Sequence, residues 1–327
     1  MNTEILAILL LALILDRIVG DPPWLWSRLP HPVTVFGAAI AYLDRRLNGD
    51  DLAGPARRRN GVIAIMALLI FSVLAGVLLH GLFAALGVYG FFLEVVLVAV
   101  FLAQKSLSDH VAAVASGLRS GGIEGGRKAV SLIVGRDPQS LDEGGVCRAA
   151  IESLAENFAD GVVAPVFWYA VAGLPGILAY KMLNTADSMI GHRNEKYVDF
   201  GWGSARLDDL ANWPAARLSS LLIAAGVYWR EDWTRARRSL SVALRDSGLH
   251  RSPNSGWPEA AMAGGLDIRL AGPRIYAGRL VSEPMINGAG RTNATAIDID
   301  EAIGIFHAGC TALTLIPAVL LLFAQFV

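Results

Sequence analysis

Long apolar runs, broken by short polar interruptions, dominate the chain. From Gly61 to Ala103 only His80 and Glu94 break a stretch of 43 residues, about twice the roughly 20 that a helix needs to cross a bilayer. The run therefore predicts a helical hairpin, with spans at 61–80 and 84–103 and a turn near His80 to Gly90. Arg45, Arg46 and Arg57 to Arg59 precede it and Lys105 follows. Short basic flanks favour the cytoplasm, so both ends of the hairpin are expected inside. Residues 303–327 form another span, following Arg291 and other basic residues, with its C-terminal end outside. Residues 3–15, 161–179 and 215–229 are further candidate spans. The second of these contains Pro165, Gly173, Pro175 and Gly176, and the third is only about 15 residues long, below a comfortable crossing. If both cross, the polar loop between them lies outside; if both are re-entrant, it lies inside.

Nothing alternates with period two, so the whole chain reads as helical. The expected fold is an all-α polytopic integral membrane bundle forming a single membrane domain. Residues 230–300, rich in Gly and Pro, are expected as a soluble cytoplasmic extension. The composition agrees: 54% of residues are hydrophobic, 17% are charged, and the mean hydropathy is +0.47, against about 25% charged in soluble domains. A net charge of -1 argues against nucleic acid as a partner. Cys147 and Cys310 stand too far apart in sequence for a metal motif or a disulfide framework. The first apolar stretch lacks a basic start, which favours a retained helix over a cleaved signal.

The polar exceptions carry the candidate chemistry. Ser140 followed by Glu143 reads as a capping box, opening a helix expected to run to about Ala159 and stop at Gly161. Glu152, Glu156 and Asp160 share one face of that helix. Three carboxylates on one face repel each other, and a magnesium ion that keeps waters and substrate phosphates would relieve the repulsion; the plain alternative is a solvated face neutralised by Arg148. Asn157 lies on the same helix. Further on, Lys181, Asn184 and Ser188 fall on one helical face with Asp187 beside them and His192 just beyond. Ionisable residues near membrane depth are costly and point to function, although a polar plug locking helices together has the same pattern. Ser204 is expected to cap a short helix that carries Arg206, Asp208, Asp209 and Asn212, with Pro214 opening the next. Asp16, Asp21 and His31 lie in a proline-rich loop that is expected to be extended. Ser252 to Glu259 reads as a tight turn with Asn254, Trp257 and Glu259 exposed. No Gly-x-x-x-x-Gly-Lys-Ser/Thr loop, Gly-x-Ser-x-Gly elbow or Cys-x-x-Cys pair is present. A nucleotide would have to be held through a metal and through scattered cations such as Lys105, Arg136, Lys181 and Arg206.

Taken in order, these motifs resemble those of the CobD/CbiB family, the adenosylcobinamide-phosphate synthases. They are Asp-x-x-x-Gly-Asp-Pro at 16–22, Pro-His-Pro-Val at 30–33, Gly-Arg-Asp at 135–137 and Glu-Ser-x-Ala-Glu-Asn-x-x-Asp-Gly-Val at 152–162. Lys-Met-x-Asn-Thr-x-Asp-Ser-Met at 181–189, Ser-Ala-Arg-Leu-Asp-Asp at 204–209 and Ser-Pro-Asn-Ser-Gly-Trp-Pro-Glu at 252–259 follow. The resemblance implies a multi-pass protein of the inner (cytoplasmic) membrane. It implies joining of adenosylcobyric acid to (R)-1-amino-2-propanol or its O-phosphate with ATP and Mg2+, and it is compatible with a complex with other membrane enzymes of cobalamin assembly. On that reading Glu152, Glu156, Asp160, Asp187, Asp208 and Asp209 supply metal ligands and a general base, with Lys181 and His192 among the catalytic groups. Asp21, His31, Lys105, Arg136, Asn157, Asn184, Ser188, Arg206, Asn254, Trp257 and Glu259 bind substrate or phosphate. Two other readings compete. A magnesium-dependent prenyl or diphosphate transferase would carry Asp-x-x-Asp clusters on two helices, and this chain has only scattered carboxylates. A non-catalytic membrane sensor would tolerate loss of the motif carboxylates.

Overall fold

The computed structural model describes all residues except 1, 136, 273, 277, 278, 282 and 325–327, with side chains described outside 273–282. Its helices are α1 (Thr3–Val19), α2 (Pro23–Trp26), α3 (Pro32–Leu47), α4 (Gly54–Ala85), α5 (Val88–Val100) and α6 (Gln104–Val130). They continue with α7 (Glu143–Phe158), α8 (Ala164–Ile190), α9 (Trp202–Arg230), α10 (Trp233–Asp246), α11 (Gly256–Leu266) and α12 (Ala296–Phe323). Among the described residues four stretches are long and apolar enough to cross a membrane: Gly54–Ala85, Val88–Val130, Glu143–Ile190 and Ala296–Phe323. The fold is an all-α membrane bundle. The hairpin turns at Leu86 and Gly87, inside the expected window. α1, at 17 residues, is at the short end of the range for a crossing, and α9 is not among the four apolar stretches.

Local chemistry moved several boundaries. Asp142, not Ser140, caps α7: its carboxylate accepts from Gly145 N at 2.6 Å, while Ser140 ends a separate 3-10 turn over Pro138–Ser140. An Asp one turn ahead of the free amides satisfies them as well as a Ser does and adds a charge that suits the helix dipole. α7 does not stop at Gly161. It passes through a π-turn at Ala159–Val163 into α8, because the surroundings are apolar and an unpaired backbone there is costly. α8 itself breaks at Ala172 and Gly173, where Gly173 takes φ 61, a conformation that only glycine adopts freely, just ahead of Pro175. Ser204 caps nothing and Pro214 opens nothing, since α9 runs through both. The loop after the first helix is not fully extended. Asp16 lies buried within α1, and α2 forms between Asp21 and His31. The helix-only expectation also misses two small antiparallel pairs, Leu270–Ala271 with Met285–Ile286 and Arg274–Tyr276 with Arg279–Val281.

The chain divides into two compact units. The first comprises Met1–Leu102, Ala164–Asn212 and Pro317–Val327, and the second Ala103–Val163 and Trp213–Ile316. In the first, α4 meets α8 so closely that a Cβ on Gly76 would lie 2.5 Å from Pro175 Cα. Buried Glu94 accepts from Tyr169 Oη at 2.5 Å and faces His80 Nδ1 at 3.2 Å, so the hairpin's one carboxylate is satisfied inside the bundle. Asp44 ties α3 to the loop before α9, accepting from Lys196 Nζ at 2.8 Å and from Asn48 and Tyr197. Burial opposes its charge, but those partners prevail and hold its carboxyl below the usual range. In the second unit α7 is the core element. Most of its residues are buried, and Phe158 packs edge-on against Phe306 of α12, with ring centroids 5.3 Å apart.

Candidate active site

In the first unit the C-terminal end of α8 and the start of α9 bring their polar residues together. Tyr180 Oη donates to Asn212 Oδ1 at 2.8 Å, and Asn212 Nδ2 donates to Asp208 Oδ2 at 2.9 Å. The Asn184 side chain stands beside the same carboxyl, and the Asp187 charge faces it. Asp208 is only 8% exposed. Burial first, and the Asp187 carboxylate second, push its carboxyl up to about 7. Asp208 Oδ1 has no hydrogen-bond partner among the described residues. The α8 periodicity thus places Asn184 and Asp187 where the sequence pattern expected them. The pairing with α9 was not readable from either motif alone.

A cleft of about 300 Å³ adjoins this cluster, lined by Gly191, His192, Arg193, Tyr197, Trp202, Arg206 and Asp209 among others. Asp209 is half-buried; burial raises its carboxyl, against the pull of Arg206, 3.9 Å away, and of Arg193. Gly191 joins the two features. Its amide donates to Asp187 O at 2.7 Å, and a Cβ there would lie 2.0 Å from Asp187 Oδ1. The carboxylate therefore occupies the space that a side chain on the cleft wall would fill. Gly191→Ala is expected to displace Asp187 and, if that carboxylate serves the chemistry, to reduce turnover by about 10²-fold, the effect that a misplacement of about 1 Å can have. Steady-state turnover of the purified variant, read beside its melting profile, checks it.

The other acidic motif is built differently. Glu152 is buried and accepts from Ala271 N at 2.7 Å; Glu156 accepts from Ser255 Oγ at 2.8 Å. Both carboxylates hold the 252–271 segment to α7. Asp160 sits half-buried in the π-turn. Arg148 does not neutralise this face: it donates to Thr292 O at 3.2 Å and lies 3.9 Å from Asp142. Among the described residues no group of three or more His, Cys, Asp or Glu converges as for a metal ion.

The turn at 252–259 is not displayed to solvent as expected. Asn254 and Glu259 are buried and Trp257 is half-buried. Glu259 lies 3.6 Å from His250, and Asn254 accepts from Arg217, whose guanidinium stacks on Trp213 and Trp257. The local cause is α11, which begins at Gly256 and draws the turn inward.

Several remaining candidates have plain partners. His31 caps α3 through Nδ1 and lies 3.6 Å from Asp21. Lys105 pairs with Asp109. Asn157 donates to Ser153 O, and Ser188 donates to Asn184 O. Lys181 is half-buried on α8. Arg136 lies outside the described residues. Sequence reasoning missed Tyr180, Arg193, Tyr197, Trp202 and Arg217 as site components. Arg193 was visible next to His192, but nothing marked it as facing a cleft.

The chain matches the family described as CobD/Cbib protein over residues 9–306. A protein of Sinorhizobium sp described as "Cobalamin biosynthesis protein CobD" is 68% identical over 313 residues, covering 96% of this chain and 97% of that protein. Proteins of Rhizobium meliloti (strain 1021) and Rhodobacter capsulatus with the same description are 63% and 46% identical, covering 96% and 95% of each chain. No solved structure matches. The match extends across all the motifs that build both polar clusters, and the chain belongs to the CobD/Cbib family.

Proposed function

We propose that this chain is an adenosylcobinamide-phosphate synthase of the inner membrane, joining adenosylcobyric acid to (R)-1-amino-2-propanol or its O-phosphate at the expense of ATP. Family membership supports a role in cobalamin biosynthesis. The observation that carries the chemistry is the pair Asp187 and Asp208 set against an arginine-lined cleft.

A carboxylate does not acylate an amine in water. The free propionate of the corrinoid first takes the γ-phosphoryl group of ATP, releasing ADP. The amine nitrogen then attacks the acyl phosphate, phosphate leaves, and the nitrogen loses its proton. Arg193 and Arg206 suit the phosphate oxygens, which a guanidinium binds in bidentate fashion. His192, on the cleft wall, takes the amine's proton, as the free nitrogen of a neutral imidazole can. A cleft of about 300 Å³ is at the small end of ligand sites. It suits the amine and the phosphates, with the bulk of the corrin ring outside. The Asp187 and Asp208 pair also fits magnesium, which takes one or two protein carboxylates and completes its shell with water and substrate phosphates. Bound there, magnesium would neutralise charge on the transferring phosphoryl group.

Incubation of purified protein with adenosylcobyric acid, ATP, magnesium and each amine in turn tests the reading. A corrinoid of the mass of adenosylcobinamide or its phosphate, formed only when ATP is present, is the expected result. No amide product with either amine overturns it.

A further inference from the structure

The strongest amphipathic helix among the described residues is α10, whose two faces differ in kind. Its inner face is small. Ala236, Ser239, Val242 and Ala243 are buried, Ser239 Oγ donates to Ala261 O at 2.7 Å, and Arg238 Nε donates to Gly264 O at 2.7 Å. Packing against α11 therefore accounts for that face. Nothing in the chemistry proposed above uses the outer face. There Trp233, Arg237 and Leu244 follow one another at spacings of four and seven, on one stripe of the helix. Trp233 is 65% exposed and Leu244 is 73% exposed. Just before the helix, Tyr228 and Trp229 at the end of α9 are exposed too, and the Tyr228 ring meets the Trp233 ring edge-on at 6.1 Å. From Arg230 to Arg251 the chain carries six arginines against three carboxylates.

A second observation sets the depth of this surface. On α12 the last acid is Glu301, and the helix is free of Asp, Glu, Lys and Arg from Ile303 to Phe323. A Cβ on Gly304 would lie 2.4 Å from Arg230 Cζ. Arg230 thus rests on α12 where that membrane stretch turns apolar. Arginine and tryptophan at such a boundary are the side chains that occupy the headgroup layer. α10 starts three residues later.

We infer that α10 lies in the membrane interface and binds an anionic phospholipid surface, Trp233 and Leu244 entering the acyl boundary while Arg230 and Arg237 meet headgroup phosphates. An arginine-rich amphipathic helix of low net hydrophobicity, with aromatic and aliphatic residues on its outer stripe, has the composition of interfacial helices, and clustered arginines favour anionic leaflets. The inference rests on the membrane character of the chain and not on the reaction it performs.

The test labels Leu244→Cys with an environment-sensitive fluorophore in the full chain, in vesicles of phosphatidylcholine with phosphatidylglycerol. Cys147 and Cys310 are buried, so labelling is selective. The expected result is blue-shifted emission, quenched several-fold more by nitroxide-bearing lipid than by aqueous iodide. The lipid quenching should weaken in pure phosphatidylcholine and in a variant carrying Arg230→Gln and Arg237→Gln. Quenching by iodide alone overturns the inference in favour of a solvated helix. Protection from both quenchers overturns it in favour of a protein partner. Equal quenching in both lipid mixtures overturns the anionic preference. Leu78→Cys, exposed on the apolar α4, serves as the reference: if lipid fails to quench it too, the membrane reading itself has failed.

Discussion

Asp208→Asn is expected to lower the proposed amide-forming turnover by about 10² to 10⁴-fold, the range in which a positioned acid, base or charge contributes, without lowering the melting temperature. The two effects part because Asp208 carries a burial cost. Its folded carboxyl titrates at about 7, against about 3.9 when unfolded. Between those values the folded state binds more protons than the unfolded state, so this group's contribution to stability falls as pH rises from about 4 to 7 and is flat above. Asparagine removes the charge and keeps an acceptor for Asn212, so the variant should melt no lower than wild type at pH 7 and should lack that slope. Magnesium gives a readout separate from activity. A ligand that binds only the folded state raises its melting temperature, so added magnesium should stabilise wild type and leave Asp208→Asn unmoved. Wild-type turnover in Asp208→Asn, or an equal magnesium shift in both, removes the pair from the site.

Phe158→Ala should cost about 3–5 kcal/mol, the usual range for deleting a fully buried aromatic ring. Phe158 is 0% exposed and stacks edge-on against Phe306. Its loss opens a cavity between α7 and α12 that rigid helices cannot collapse to fill. Thermal unfolding in detergent checks this, and a change smaller than that of an exposed control such as Leu132→Ala, at a residue 77% exposed, counts against it. Glu156→Gln makes an informative neighbour on the same helix. The amide still accepts from Ser255 Oγ, so the fold should lose less than about 1 kcal/mol. Full retention of turnover would confine Glu156 to holding the 252–259 turn, whereas a large loss would bring its charge into the chemistry.

The extent of legibility follows from the range of the interactions. Apolar runs at 61–103 and 303–327 are legible because a bilayer demands uninterrupted hydrocarbon along a helix, a condition written residue by residue. The α8 face of Asn184, Asp187 and Ser188 is legible because helical periodicity is local. Helix ends were less so. Asp142 displaced Ser140 as the cap of α7 because both are competent caps close together, and only the three-dimensional path of the chain selects one. Pro214 lies inside α9, against the rule that proline opens or ends a helix, because the fold on both sides of it keeps the chain helical.

By itself, then, the sequence determined that this is a helical membrane protein of the CobD/CbiB kind and which polar residues border its apolar helices. Only the tertiary structure decided what those residues face. Glu152 and Asp187 look alike in the chain, each a carboxylate in a polar motif on a long helix. One meets the amide of Ala271, 119 residues away. The other meets Asp208 across a turn and is pressed against Gly191 on the cleft wall. A carboxylate's role depends on what faces it, and what faces it comes from residues distant in sequence, brought near by packing that no local pattern encodes.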